Sequence, residues 1–355
     1  MKLAVIFGGV STEHDVSVVS GTSVIKNLNK EKYDITPIYI DTDGSWYRYT
    51  KNINEIDILP IGEKVTELEK IENVMEILKS QDVIFPVLHG IGGEDGTIQG
   101  LFELLKVPYV GCGVLASSVC MDKVYTKVIL DKAGIRQAKS EYVRKYNDKY
   151  IYVDKSFNEK TCELDEVCEI VENNLKYPMF VKPSRSGSSV GVNKANTREE
   201  LKNAIDYASK FDKKILVEQG IFGHEVECAV LGNEDVAASS VGEIKSADEF
   251  YDFDSKYINS ESKTVIPAEI SEDKIEEIRK TAVKAFKAVD GKGLSRVDFF
   301  VENETGNVIL NEINTMPGFT NISMYPKLFE HAGIKYSELL DKLIEFAIEK
   351  WYNIP

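Results

Sequence analysis

Cysteine, positive charge and long hydrophobic runs are all scarce in this sequence, and each shortage excludes a class of protein. The five cysteines, Cys112, Cys120, Cys162, Cys168 and Cys228, form no CxxC pair, and their number is odd. That pattern fits neither a disulfide framework nor a paired-cysteine metal site, and reduced thiols in a cytoplasm are expected. Forty-three basic residues stand against fifty-eight acidic ones, a formal net charge of −15. Such a field repels phosphate backbones and acidic lipid surfaces, so no nucleic-acid and no membrane partner is expected. An anionic ligand then has to be gripped by a local cluster, which makes individual lysines informative. No apolar run approaches the roughly 20 residues of a membrane span. The opening run Leu3 to Phe7 is too short for a signal sequence and is followed at once by glycines, so a cytoplasmic location is expected. There is no GxxxxGK[ST] loop, internal repeat or low-complexity segment.

At 355 residues, with 43% hydrophobic and 28% charged positions, the chain is globular in composition and longer than one core usually covers. Leu3 to Phe7 and Val83 to Leu88 are near-continuous apolar runs that end in glycine- or histidine-bearing turns, as strands of a doubly covered parallel sheet do. An α/β domain over residues 1–122 is expected. A smaller α+β unit over 123–217 holds a polar stretch from Lys145 to Glu166, a strand from Pro178 to Lys182, a glycine- and serine-rich loop, and a helix starting near Thr197. A third unit, 218–355, adds strands, a helix from Ser271 to Val289 and a closing helix bearing Leu339, Leu340, Leu343 and Ile344.

Chemistry concentrates in the segments Ser295 to Val301 and Val308 to Asn314, joined by the turn Asn303-Glu-Thr-Gly-Asn307. They read as a hairpin. Side chains alternate along a strand, so Arg296 shares a face with Asp298, and Glu312 with Asn314. If residue 302 pairs with 308, Asp298 lies opposite Glu312 and Arg296 opposite Asn314. Facing carboxylates repel unless a cation sits between them, and Asp, Glu and Asn oxygens suit magnesium bridging a substrate phosphate. A solvated hairpin face is the plain alternative, and the apolar flanks argue against it.

The loop Lys182-Pro-Ser-Arg-Ser-Gly-Ser-Ser-Val-Gly191 places a lysine at a strand end ahead of small residues whose amides can approach oxygens closely. Ile215 to Ile221 ends another strand in an acid, followed by Glu225. With Lys123 and Lys182, these segments supply what a nucleotide site between two domains needs. A site for magnesium and ATP is the resulting expectation.

Further segments carry a resemblance: Phe7-Gly-Gly-Val-Ser-Thr-Glu-His-Asp-Val-Ser17, His89-Gly90, Gly93-Glu-Asp-Gly-Thr-Ile-Gln-Gly100, Met121-Asp-Lys123, Tyr251-Asp-Phe-Asp-Ser-Lys-Tyr257, and Asn311-Glu-Ile-Asn-Thr-Met-Pro-Gly-Phe-Thr320. In order and spacing, together with the hairpin and loop, they resemble the D-alanine–D-alanine ligases of the ATP-grasp superfamily over nearly the whole chain. The resemblance implies an N-terminal parallel-sheet α/β domain followed by the two α+β subdomains of an ATP-grasp fold. It implies ATP as co-substrate, two magnesium (or manganese) ions on Asp298, Glu312 and Asn314, and a homodimer. Lys123, Lys182 and Ser189 would hold the ATP phosphates, and Glu218, Gln219, Ile221 and Glu225 the adenine and ribose. Lys256 would reach the γ-phosphate from a lid over 246–262. Asp15, standing where the family commonly has glutamate, and His89 would hold the first D-alanine. Ser188 and Tyr257 would link that subsite to the lid, Arg296 and the Gly318 amide would stabilise the oxyanion, and Ser323 and Met324 would border the second D-alanine. His14, His224 and His331 are read as structural.

The implied reaction is ligation of two D-alanines for peptidoglycan precursor synthesis. Ligases that accept D-serine or D-lactate second are the nearest competitors, and Tyr257 and the apolar Met324 favour D-alanine in both subsites. Two other classes fit less well. Gly111-Cys-Gly-Val-Leu-Ala116 fits a dinucleotide fingerprint, but the acid about twenty residues on, Asp131, falls within a helical stretch rather than at a strand end. A noncatalytic ATP-binding regulator has no need of Arg296, Lys256 and three metal ligands.

Overall fold

The computed structural model describes residues 1–245, 263–320 and 322–352. Its strands fall into three sheets that follow one another along the chain. The first contains β1 (Lys2–Gly8), β2 (Asp34–Ile40), β3 (Trp46–Tyr49), β4 (Leu68–Lys70) and β5 (Val83–Val87), in the order β4-β3-β2-β1-β5. β1 pairs in parallel with β2 and β5, and β3 and β4 complete one edge antiparallel. The apolar run of β1 serves both faces. Leu3, Val5 and Phe7 pack toward α1 (His14–Asn27), while Ala4 and Ile6 share a cluster with residues of α2 (Val74–Lys79) and α3 (Thr97–Leu105).

Two further helices, α4 (Val114–Met121) and α5 (Lys123–Lys132), lead to an antiparallel sheet. It comprises β6 (Ser140–Tyr146), β7 (Lys149–Val153), β8 (Glu159–Cys162), β9 (Met179–Pro183), β10 (Asn193–Ala195) and β11 (Lys214–Gln219), ordered β10-β9-β11-β6-β7-β8. α6 (Leu164–Asn174) and α7 (Arg198–Ala208) share its core. The Thr197 hydroxyl caps α7 by accepting from Glu200 N–H at 3.3 Å. The polar stretch from Lys145 to Glu166 carries β7 and β8, which reach the sheet's core through Tyr150 and Cys162.

The third sheet is antiparallel, ordered β14-β13-β12-β15-β16, from β12 (Gly223–Gly232), β13 (Ala237–Lys245), β14 (Lys263–Val265), β15 (Gly293–Glu302) and β16 (Val308–Asn314). One face packs on α8 (Glu272–Ala288) together with α4 and α5, through Val226, Cys228, Ile278, Leu130 and Cys120. The other meets α9 (Met324–His331) and α10 (Tyr336–Tyr352). Leu339, Leu340, Leu343 and Ile344 of α10 lie in the same cluster as Leu3, Val5 and Phe7, so the closing helix joins the first sheet to the third. Among the described residues no helix is long and apolar enough to cross a membrane.

The hairpin register differs from the expectation in one step. Val301, not Glu302, pairs with Val308. After three pairs the register shifts between Phe299 and Asp298, leaving Asn311 without an opposite partner, and Asp298 then faces Glu312 and Arg296 faces Asn314 as expected.

Candidate active site

One cavity lies where the three sheets approach one another, and most of the expected residues line it. At one end β9 and β11 run antiparallel with Leu216 opposite Lys182. The Glu218 carboxylate lies between two ammonium groups, 2.5 Å from Lys182 and 2.6 Å from Lys127. Burial alone would raise the Glu218 pKa, but the charges of Lys127 and Lys182 hold it down at about 2. Lys182 is correspondingly raised: burial opposes its charge, and Glu218 outweighs burial. Gln219, Ile221 and Glu225 line the same end.

The serine-rich loop closes the cavity beside them. Lys123 Nζ donates to Ser186 O at 2.8 Å, and Lys123 N–H to Ser184 O at 3.0 Å. Asp122 caps α5, accepts from Ser184 Oγ at 2.6 Å and ion-pairs with Lys214, tying α5 to the loop. Arg185 forks onto Asp212 at 3.1 and 3.0 Å. Ser188 and Ser189, both lining the cavity, have φ of 47° and 58°. This left-handed conformation costs L residues on the order of 1 kcal/mol each and is concentrated at functional loops.

Asp15 is not where the resemblance placed it. α1 begins at His14, so Asp15 sits in its first turn and is exposed. Glu13, at the N-cap, makes no side-chain cap hydrogen bond; it lines the cavity and accepts from Ser188 Oγ at 2.5 Å. Two glycines make room for it. A Cβ on Gly187 would stand 2.5 Å from Glu13 Oε2, and one on Gly90 2.8 Å.

His89 lines the cavity, but neither ring nitrogen is open to a ligand: Nδ1 is 3.0 Å from Met316 O and Nε2 is 3.0 Å from Ser20 Oγ. It braces the site rather than projecting into it, which corrects the expected substrate contact. Glu94 stands 3.5 Å from Nδ1. Burial pushes the Glu94 carboxyl up to about 7, with His89 acting the other way. Burial opposes the charged His89 ring, yet the hydrogen bond and charge of Glu94 raise its pKa.

On the hairpin, Arg296 forks onto Asp298 at 2.8 and 2.7 Å, and its Nε lies 3.0 Å from Glu227 Oε2. Burial disfavours the guanidinium charge, but Asp298 and then Glu227 raise its pKa well above the ordinary value. Asn314 Nδ2 donates to Asp298 at 2.9 Å, and Lys123 stands 3.9 Å from Glu312. Among the described residues no group of three or more His, Cys, Asp or Glu side chains forms a ligand set. Two carboxylates and an amide whose oxygen a half-turn would present still suit magnesium, which takes few protein oxygens beside substrate phosphates. Gly318, Ser323 and Met324 also line the cavity. A Cβ on Gly318 would fall 2.7 Å from Ser323 Oγ, so only glycine allows that approach. Lys256, Tyr257 and the expected lid lie outside the described residues.

Sequence reasoning passed over Glu13, Glu94, Lys127 and Glu227. Lys127 had a usable signal: it follows Lys123 by four residues on one helix and therefore shares its face.

Comparison with known proteins places the chain in a family. Residues 2–112 match the family model "D-ala D-ala ligase N-terminus" and residues 129–345 the model "D-ala D-ala ligase C-terminus". The D-alanine–D-alanine ligase of Acetivibrio thermocellus is 50% identical over 377 residues, covering 99% of this chain and 96% of the relative. That of Clostridium novyi is 49% identical over 352 residues, covering 98% of each. Among solved structures, the VanG D-Ala:D-Ser ligase of Enterococcus faecalis superposes with a TM-score of 0.83 at 38% identity, covering 98% of this chain and 99% of that one. The D-alanine-D-alanine ligase of Coxiella burnetii gives 0.81 at 34% identity, covering 99% of this chain and 95% of its own. The chain belongs to the D-alanine–D-alanine ligase family and has its ATP-grasp fold.

Proposed function

We propose that this protein joins two D-alanine molecules into D-alanyl-D-alanine, a peptidoglycan precursor, with cleavage of ATP to ADP and phosphate. The observation that carries this reading is one cavity lined by phosphate-type lysines, Lys123 and Lys182, by the hairpin acids with Arg296, and by the Glu13–Ser188 pair.

A carboxylate does not react with an amine near neutral pH because its oxygen is a poor leaving group, so it is first phosphorylated. Glu13 holds the ammonium of the first D-alanine. The γ-phosphoryl group leaves ADP and bonds to a carboxylate oxygen of that D-alanine, while Lys123 and Lys182 neutralise the charge spreading over it. Glu218, Gln219, Ile221 and Glu225 receive adenine and ribose, with Ser189 beside the phosphates. Asp298, Glu312 and Asn314 would hold one or two magnesium (or manganese) ions, whose chemistry is to stabilise phosphoryl charge. The amine of the second D-alanine then attacks the acyl carbon. Arg296 and the Gly318 amide stabilise the tetrahedral oxyanion. The carbon–oxygen bond to phosphate breaks, and the amine's proton passes to the departing phosphate or to solvent.

Ser323 and Met324 border the second subsite. Met324 is buried, and its thioether offers no donor to a serine hydroxyl, so D-serine gains little over D-alanine. The likeness to a D-Ala:D-Ser ligase supports D-serine as the second reading. The proposed working form is a cytoplasmic homodimer without nucleic-acid or membrane partners, in keeping with the net charge of −15. The test is phosphate release from ATP with no amino acid, with D-alanine, and with D-alanine plus D-serine or D-lactate. Stimulation by D-alanine with dipeptide as product is expected. No stimulation by D-alanine refutes the reading, and a mixed product formed in preference transfers it to the D-serine or D-lactate type.

A further inference from the structure

Phe319, the residue after Gly318, is held on both sides of its Cα. Phe319 N–H donates to Ser20 Oγ at 3.2 Å, and Phe319 O accepts from the Tyr336 hydroxyl at 2.6 Å. Three residues earlier Met316 O is 3.0 Å from His89 Nδ1. A carbonyl can only accept, so Nδ1 carries a proton there. His89 Nε2 returns to the same Ser20 Oγ at 3.0 Å. Ser20 is 0% exposed and His89 4%, so water does not replace these bonds when one is removed. The Phe319 ring fills the space between, with centroids 5.7 Å from Phe85 and 5.5 Å from Tyr325.

The clamp joins distant parts of the chain. Ser20 is on α1 and His89 follows β5, both in the first sheet's layer; Tyr336 opens α10; the clamped loop leaves β16. α1 therefore meets the reaction twice. Glu13 at its start faces Ser188, and Ser20, about two turns along, meets the loop that carries the Gly318 amide. An oxyanion donor acts only when aimed at the oxygen's developing position, and small misdirection is expensive in rate.

We propose that Ser20 is a positioning residue for the second half of the reaction: its hydroxyl, shared between Phe319 N–H and His89 Nε2, fixes the direction of the Gly318 amide. This rests on the ligase reading above. Nothing in it requires Ser20 to touch substrate.

Ser20→Ala removes the hydroxyl alone. Thr22→Ala is the control: Thr22 is buried in the same helix and bonds to Val18 O, Val19 O and Leu59 N–H, away from the loop. Five quantities are read: the melting temperature, the KM for ATP, the rate of dipeptide formation, the phosphate released per dipeptide formed, and the affinity for a phosphinate mimic of the tetrahedral adduct. In Ser20→Ala, dipeptide formation and phosphinate affinity are expected to fall about tenfold, the size of one buried hydrogen bond, with the ATP KM within about twofold. Phosphate should exceed dipeptide, because acyl phosphate that waits is hydrolysed. Thr22→Ala should lower the melting temperature with none of these kinetic changes. Tyr336→Phe, which frees the Phe319 carbonyl on the next peptide unit, should act in the same direction and serves if Ser20→Ala does not fold. A phosphate-to-dipeptide ratio and phosphinate affinity at the wild-type level in a folded variant overturn the proposal, as does a loss that follows only the melting temperature. Wild-type enzyme that makes no dipeptide refutes the ligase reading instead.

Discussion

Glu13 and Asp15 are two residues apart at the start of α1, where the chain turns from extended to helical, and only Glu13 faces the cavity. Glu13→Gln keeps the shape and removes the charge. It should raise the KM for the first D-alanine roughly ten- to a hundredfold, the range of a hydrogen bond to a charged group, whereas Asp15→Asn should leave it within about twofold. Initial rates over a D-alanine series check both. The motif contained the acid but not its direction, because choosing between 13 and 15 requires the first helical residue, which sequence places only to within a turn. Glu218 yields a pH prediction. Its pKa is lowered from 4.5 to about 2, so it contributes stability that is fully present above 4.5 and lost as pH falls toward 2. The contribution is on the order of 3 kcal/mol. Urea midpoints between pH 5 and 2 should therefore decline less steeply in Glu218→Gln than in wild type. Assigning Glu218 to adenine and ribose alone overlooked Lys127, whose ammonium, with that of Lys182, makes this carboxylate the centre of a buried charge cluster.

At the scale of elements, the hairpin was legible because alternation fixes which side chains share a face, and both expected cross-strand pairs are present. The bulge at Asn311 was not legible: the turn sequence sets where pairing begins, and an extra residue four positions along leaves no compositional mark. Strand β8, Glu-Lys-Thr-Cys, was passed over because it lacks an apolar run, whereas β7 carries strand-type residues in Tyr150-Ile-Tyr-Val153 that its polar flanks masked. α5 is tied to the phosphate loop by Asp122, which bonds Ser184 and pairs with Lys214 while capping the helix. Asp122→Ala should lower stability by about 3 kcal/mol, as removal of one partner from a buried ion pair does, and should raise the ATP KM several-fold through Lys123. Denaturant unfolding and ATP titrations of the rate measure the two effects separately. A helix cap without that loop contact would show only the first.

Across the whole molecule, three successive sheets matched the order of patterns along the chain, but the cores do not follow the expected boundaries at 122 and 217. α4 and α5 share the third sheet's core, and α10 shares the first sheet's. Apolar periodicity reports that a helix has a buried face; it carries no information on which sheet covers it. Leu343, fully buried in α10, makes the linkage testable. Leu343→Ala should destabilise the protein by about 2–5 kcal/mol, and hydrogen exchange should show β1 and β5 losing protection together with α10. Loss confined to α10 would mean that the first sheet stands alone.

The chemistry as a whole depends on a carboxylate oxygen of the first D-alanine becoming bonded to phosphorus. D-alanine labelled with oxygen-18 in its carboxyl group, turned over with unlabelled ATP, tests this by mass spectrometry of the released phosphate. One labelled oxygen per phosphate, equal to the dipeptide formed, is the expected result. Phosphate free of label, formed alongside dipeptide, would contradict an acyl phosphate in this cavity.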